Sequence, residues 1–252
     1  MRKIIVLLIM CFPLFAVAQE KNISTVNSVR PKMGQKMAFE AAYKQHIAKF
    51  HKGDAMISVY EIISGPNMGF YHLVNGGRSI GDFDKERADA TAHGMDLDKN
   101  FFPYLDEARN LNYRFIDTLS FHTDFKAEKF VVNIRHIKSD MMEEYMKESR
   151  RSIIVLGKLK GAFWDNLAFA NYTQMWSGSD RVMVNVRALK DGFASLERNF
   201  YGENPAGNPT FKDVYIQEYG TLDWDKRTKT MDNAVEKNEQ YIMKLRKDLS
   251  SQ

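Results

Sequence analysis

The chain has 252 residues, 44% of them hydrophobic and 27% charged, with 36 Lys and Arg against 32 Asp and Glu. That near balance, with the basic residues scattered rather than grouped, argues against nucleic acid as a main partner. The single cysteine, Cys11, lies in the N-terminal leader. The rest of the chain therefore has no disulfide, cysteine nucleophile or thiolate metal site.

Residues 1–18 read as a signal peptide. Arg2 and Lys3 precede an apolar run from Ile4 to Val17, and Ala16-Val17-Ala18 supplies the small residues of a cleavage site. The expectation is an exported protein, periplasmic or extracellular, starting at Gln19, with no membrane association after cleavage. A lipoprotein is disfavoured because Met10, not a small residue, precedes Cys11. The remaining length suits one large domain or two small ones stabilised by their own cores.

The elements follow in chain order. Thr25 to Arg30 predicts a strand, broken by Pro31. Gln35 to Lys52 predicts a helix, with Phe39, Ala42, Tyr43, His46, Ile47 and Phe50 at spacings of three and four. Met56–Ser64 and Phe70–Val74 predict a hairpin around Gly65-Pro66-Asn67-Met68-Gly69, ended by Gly76-Gly77. Ser79 to Leu111 reads as helical pieces interrupted by Gly94 and bent at Pro103, followed by a strand from Tyr113 to Phe121. Lys129–Ile137 alternates cleanly as a strand. Ser139 is the expected N-cap of a helix over Asp140–Leu156. Leu167–Trp176 and Arg181–Arg187 predict a second hairpin. Gly192–Phe200 reads as a short helix, Tyr201–Pro209 as a loop, and Thr210–Tyr219 and Thr221–Val235 as helices divided by Gly220. Tyr241–Arg246 reads as a last strand or as a helix continuing from Glu236.

The two hairpins echo each other. Tyr60-Glu61-Ile62-Ile63-Ser64-Gly65 with Phe70-Tyr71-His72-Leu73-Val74 corresponds to Thr173-Gln174-Met175-Trp176-Ser177-Gly178 with Met183-Val184-Asn185-Val186-Arg187. The expected organisation is thus a tandem repeat. Residues 19–126 form a first βαββαβ unit and 127–252 a second. Each four-stranded sheet would leave one apolar face bare, so the two should pack sheet to sheet. The fold class is α+β, two ferredoxin-like units forming an intramolecular α+β barrel, and hence a monomer with an internal pseudo-dimer.

The Pro31-Lys32-Met33-Gly34 approach to the first helix, the Ser64-Gly65-Pro66-Asn67 hairpin, the Ser79-Ile80-Gly81-Asp82-Phe83-Asp84 segment and the tail Arg246-Lys247-Asp248-Leu249-Ser250 resemble the dimeric α+β barrel proteins. These include the NIPSNAP-like and antibiotic-biosynthesis-monooxygenase-like families. The resemblance covers most of residues 25–250. It implies a pocket between the sheets, in a superfamily that includes cofactor-free oxygenases, haem-degrading enzymes and isomerases, and it supplies no catalytic set to transfer.

Polar residues on apolar strands mark the candidate site, because buried polar groups need partners or a ligand. The repeat makes Arg30 and Arg135 equivalent, likewise Glu61 and Gln174, and His72 and Asn185. Together they suit an anionic or oxygen-rich small molecule, with Glu61 or His72 as general base. Tyr60, Tyr71, Tyr172 and Trp176 offer aromatic walls or, alternatively, ordinary core. The expected function is binding of a small organic ligand between the sheets. The alternatives are a cofactor-free oxygenase or isomerase, with Arg30 or Arg135 stabilising an anionic intermediate, and a non-catalytic interaction module with a filled core. No cofactor is expected, haem through His72 or His136 being the one exception considered. No metal site is expected either. His46 and His51, five apart, do not share a helix face.

Overall fold

The computed structural model describes residues 20–176, 178, 181–197 and 209–251. The signal peptide predicted over residues 1–18 lies outside the described residues, as does most of the predicted loop from Tyr201. Eight strands close into one antiparallel barrel in the order β1-β3-β2-β8-β5-β7-β6-β4. They are β1 (Ile23–Pro31), β2 (Ser58–Ser64), β3 (Tyr71–Arg78), β4 (Leu105–Phe115), β5 (Lys129–Ile137), β6 (Phe169–Gln174), β7 (Arg181–Ala188) and β8 (Val235–Leu245). Outside the barrel lie α1 (Lys36–Phe50), α2 (Ala90–Asp96), α3 (Met142–Lys158), the short α4 (Ala162–Asp165), α5 (Phe211–Tyr219) and α6 (Thr221–Ala234). Among the described residues no helix is long and apolar enough to cross a membrane.

The halves meet at two seams, β2 with β8 and β4 with β6, both antiparallel. Closure satisfies every strand edge, so the halves are joined by backbone hydrogen bonds as well as by side chains across the lumen. Successive strand residues point to opposite faces, so the barrel has two apolar surfaces. The lumen face collects Ile62, Phe130, Val132, Val184, Tyr241 and Met243. On the outer face, Val29, Val59, Tyr71 and Leu73 pack beneath Phe39, Tyr43 and Ile47 of α1. The predicted stripe of α1 is thus the buried one, and Tyr71 belongs to this outer core. In the second half, Val155 and Leu156 of α3 pack with Phe169, Phe211 and Tyr215.

Most predicted elements form where expected, and the exceptions have physical causes. Gly76-Gly77 does not end β3. Gly77 takes φ 69°, and the β1–β3 register shifts between Ile23 and Thr25, so the glycines sit in a bulge within a continuing strand. Leu105–Leu111, predicted helical, is strand. Its side chains are mainly exposed, so it lacks the apolar alternation of a half-buried strand, yet it pairs with β1 along its whole length. The strand predicted to reach Phe121 stops at Phe115 and is followed by a 3-10 turn over Asp117–Leu119. Ser139 begins a 3-10 turn instead of capping α3, whose N-cap is Met141. The last segment is strand from Val235 onward. Thr210 caps α5 with the reciprocal Thr210–Asp213 bonds of a capping box.

After β8 the tail returns to the first half. Leu249 is buried in the core beneath α1, while the backbone N–H groups of Val59 and Ile57 donate to the Ser250 and Ser251 hydroxyls at 2.9 Å each. Arg246 donates to Glu40 at 2.6 Å and to Glu61 at 2.8 Å.

Candidate functional site

Three cavities carry chemistry. The first is the barrel lumen, about 120 Å³, with Tyr60, His72, Tyr113, Tyr172 and Tyr241 set among Val, Phe and Met side chains. Burial raises the pKa of all four tyrosines, Tyr113 to about 12. His72 meets the Tyr241 ring edge-on at 5.7 Å, and no described residue hydrogen-bonds its imidazole. Desolvation lowers its pKa to about 4, so it is neutral at pH 7. In the unfolded chain the imidazole takes up a proton near pH 6.5, so acidification from 6.5 towards 4 favours unfolding. The expected loss is about 3 kcal/mol at 1.36 kcal/mol per pH unit. Urea unfolding of His72→Leu beside the wild type between pH 7 and 4 should show the slope reduced by that amount, the remainder belonging to the other desolvated histidines; an unchanged slope would refute the assignment.

The second cavity, about 300 Å³, lies between the outer face of the second half and helices α3 and α6. Asn133, Asn185 and Asn171 are paired neighbours on β5, β7 and β6, forming a band of amides across three strands. Gln240 of β8 extends it, donating to Asn133 at 2.7 Å. Asn185 donates to Asn171 at 3.2 Å. Arg135, Arg187 and Arg227 also line the space, and no Asp or Glu does among the described residues. Arg135 donates to the Tyr145 hydroxyl at 3.1 Å, and Arg227 donates to Ser152 and stacks over Trp224 at 5.3 Å. The cavity is therefore cationic and rich in donors.

The residues predicted to form one site divide between these places. Tyr60, His72 and Tyr172 meet in the lumen. Arg135 and Asn185 lie in the outer cavity. Glu61 is on the outer face of the first half, bound by Lys36 at 2.5 Å and by Arg246, so it is not a free base facing a pocket. Arg30 pairs with Asp106 at the surface and lies over the Phe70 ring. Trp176 is 67% exposed and touches Phe83. Gln174 ends β6 opposite Tyr113 and lines neither cavity. The cause is register. Tyr60 pairs with His72 and Tyr172 pairs with Val184, so the position matching His72 is Val184 rather than Asn185. A match displaced by one residue puts each supposed pair on opposite faces.

The third cavity, about 290 Å³, lies between α1, α2 and the outer face of the first half. At its wall three histidines converge. The Nε2 atoms of His46 and His51 are 3.2 Å apart, those of His46 and His93 3.2 Å, and those of His93 and His51 3.3 Å. Nδ1 of His46 contacts Asp96 Oδ2 at 2.8 Å and Nδ1 of His51 contacts the Ala55 carbonyl at 3.0 Å. Desolvation lowers the pKa of all three, that of His51 to about 4. The sequence-based argument against a metal fails here. α1 ends at Phe50, so His51 is its C-cap with φ −114° and ψ 77° and turns back towards His46. His93 comes from a separate helix, which no spacing rule connects to α1.

No protein-family model matches the chain, and no curated protein matches it. Solved structures do. A presumed monooxygenase from Lactobacillus acidophilus superposes with a TM-score of 0.52 at 9% identity, covering 92% of this chain and 96% of its own. An anthrone oxidase-like protein gives 0.54 at 9%, covering 90% and 92%. A presumed dyp-type peroxidase from Shewanella oneidensis gives 0.50 at 6%, covering 92% and 95%. At such identities the likeness is one of fold, the α+β barrel that the sequence resemblance implied.

Proposed function

We propose that the protein binds a small anionic, oxygen-rich organic molecule in the cavity beneath α3 and α6. One observation carries this reading: three guanidiniums and four strand amides surround the space, with no carboxylate among the described lining residues. Such a lining selects carboxylate or phosphate oxygens, since charge-assisted bonds from Arg are stronger than neutral ones. The volume lies at the lower end of small-molecule sites, about 300–1,000 Å³. The test is native mass spectrometry of protein from its own host, then calorimetry with the retained compound or with a panel of small carboxylates and phosphates. Arg135→Gln should weaken binding about ten- to a hundred-fold, the worth of one hydrogen bond to a charged group. Equal binding by the variant would sink the reading.

A second reading places cofactor-free oxygenase or isomerase chemistry in the lumen, supported by His72, a neutral imidazole among four phenols and without a hydrogen-bond partner among the described residues. The lumen approaches the ~150 Å³ that encloses a benzene ring, so its substrate would be one small aromatic ring, with His72 as base. The fold neighbours described as a monooxygenase and an oxidase support this reading by analogy alone. The peroxidase-type neighbour keeps haem in view, but the residues fit it poorly. The lumen beside His72 is smaller than cofactor pockets, the cationic cavity has no histidine or cysteine among its described lining residues, and the three histidines of the third cavity direct their Nε2 atoms at one another across 3.2–3.3 Å. A Soret band in purified protein would reverse that judgement.

We also read the chain as two ferredoxin-like units in tandem, residues 19–126 and 127–252, acting as a monomer after export and removal of residues 1–18. The strand orders β4-β1-β3-β2 and β8-β5-β7-β6, alike in both halves, support the repeat. N-terminal sequencing of protein secreted by its host tests the cleavage.

A further inference from the structure

We propose that His46, His51 and His93 bind one divalent transition-metal ion, zinc first among candidates, through their three Nε2 atoms. The argument begins with tautomers. Asp96 and the Ala55 carbonyl are acceptors, so His46 and His51 each carry their proton on Nδ1 and present an Nε2 lone pair. Those two lone pairs face each other at 3.2 Å inside the fold, where His46 is 2% and His51 8% exposed. His93 Nε2 lies 3.2 Å from His46 Nε2 and 3.3 Å from His51 Nε2, and a single proton on it cannot satisfy both and also relieve their mutual repulsion. A cation at the centre satisfies all three.

The dimensions agree. Three nitrogens of a tetrahedral zinc site at 2.0–2.1 Å from the metal lie about 3.3–3.4 Å apart, against 3.2, 3.2 and 3.3 Å here. The outer shell is in place as well. Asp96 orients His46 and is itself held by Asn100 at 3.0 Å, the carboxylate–histidine arrangement that metal sites use to fix ring orientation. Two cations bearing on the cluster are paired: Arg87 with Asp89 at 2.9 Å and Lys49 with Asp96 at 3.5 Å. Three neutral imidazoles without a coordinating carboxylate or thiolate suit Zn²⁺, and also Co²⁺, Ni²⁺ or Cu²⁺.

All three histidines line the cavity between α1, α2 and the barrel. Its wall carries Tyr43, whose ring stacks on His46 at 6.3 Å and whose buried hydroxyl has no hydrogen-bond partner among the described residues. A zinc site with three protein ligands takes water or a small anion as its last ligand, whereas purely structural zinc is closed by four protein ligands. This site shares no lining residue with the cationic cavity beneath α3 and α6.

The experiment uses the untagged full chain, stripped with chelator and titrated with Zn²⁺ and with Co²⁺. One ion per chain is expected, Co²⁺ giving the intense visible bands of a four-coordinate site. His93→Gln, a change at a half-buried position, should lower affinity at least a hundred-fold and abolish those bands. Asp96→Asn should lower affinity about ten- to a hundred-fold. Zn²⁺ should raise the melting midpoint of the wild type and leave that of His93→Gln where it was. Metal binding well below one ion per chain in folded wild type, or unchanged stoichiometry and bands in His93→Gln, would overturn the assignment.

Discussion

Gly65→Ala is expected to destabilise the protein by roughly 2–6 kcal/mol, the sum of backbone strain and overpacking. Gly65 follows β2 at the seam with β8 and holds φ +88°, a conformation that side chains with a Cβ rarely adopt. A Cβ there would lie 2.6 Å from the Gln240 carbonyl oxygen and 2.9 Å from the Tyr241 Cα. Both are backbone atoms of the partner strand, so no side chain can rotate away to relieve the contact. Relief requires parting β2 from β8, which opens one of the two seams and shifts Tyr241, a wall of the lumen. Gly34→Ala is the control. Its φ is +76° with nothing within 4 Å of a Cβ, so it should cost only about 1–2 kcal/mol of conformational strain. Urea midpoints of the two variants separate steric closure from backbone preference. Equal losses would mean the seam tolerates a methyl group.

Arg246→Met is expected to cost about 3 kcal/mol at pH 7, near the low end for breaking a largely buried ion pair because its partners keep some contact with water. The Arg246 side chain is 16% exposed and bridges Glu40 of α1, Glu61 of β2 and Asp248 of the tail. Methionine keeps most of the volume but leaves Glu40 and Glu61 facing one another. The hydrogen bond from Arg246 is the largest influence on Glu40 and holds its carboxyl below the ordinary value, despite the opposing effect of burial. A carboxyl with a lowered folded-state pKa stabilises the fold above its unfolded pKa of 4.5 and loses that contribution as pH falls through its folded value. The gap between wild type and variant should therefore be widest near neutrality and shrink below about pH 4.5. A gap that stays constant from pH 7 to 3 would show that Arg246 acts by packing alone.

Much of the secondary structure was legible because its signals are local. The alternation of Lys129–Ile137, the aromatic stripe of the helix through Phe39 and Phe50, and glycine at the hairpin turn each depend on a few neighbouring residues. β4 was not legible, because its side chains are polar and its strand character comes from pairing with β1 rather than from burial. The candidate residues do not form the single group expected of them. His72, Tyr60 and Tyr172 do meet, and so do Arg135 and Asn185, but in separate cavities on opposite faces of the sheet. The histidine cluster was missed because it joins a helix, its C-cap and a second helix. The one available hint was that a helix ending at Phe50 would free His51 to turn.

Composition and order along the chain by themselves determined the α+β class, the two hairpins, the absence of cysteine beyond Cys11 and the inventory of polar groups placed on strands. These follow from propensities and periodicities that operate within a turn or a strand. Tertiary structure alone decided which face each of those groups occupies and which distant residues they meet. A shift of one residue in pairing reverses every side chain on a strand, and that choice is made by the seams of the closed barrel rather than by either strand alone.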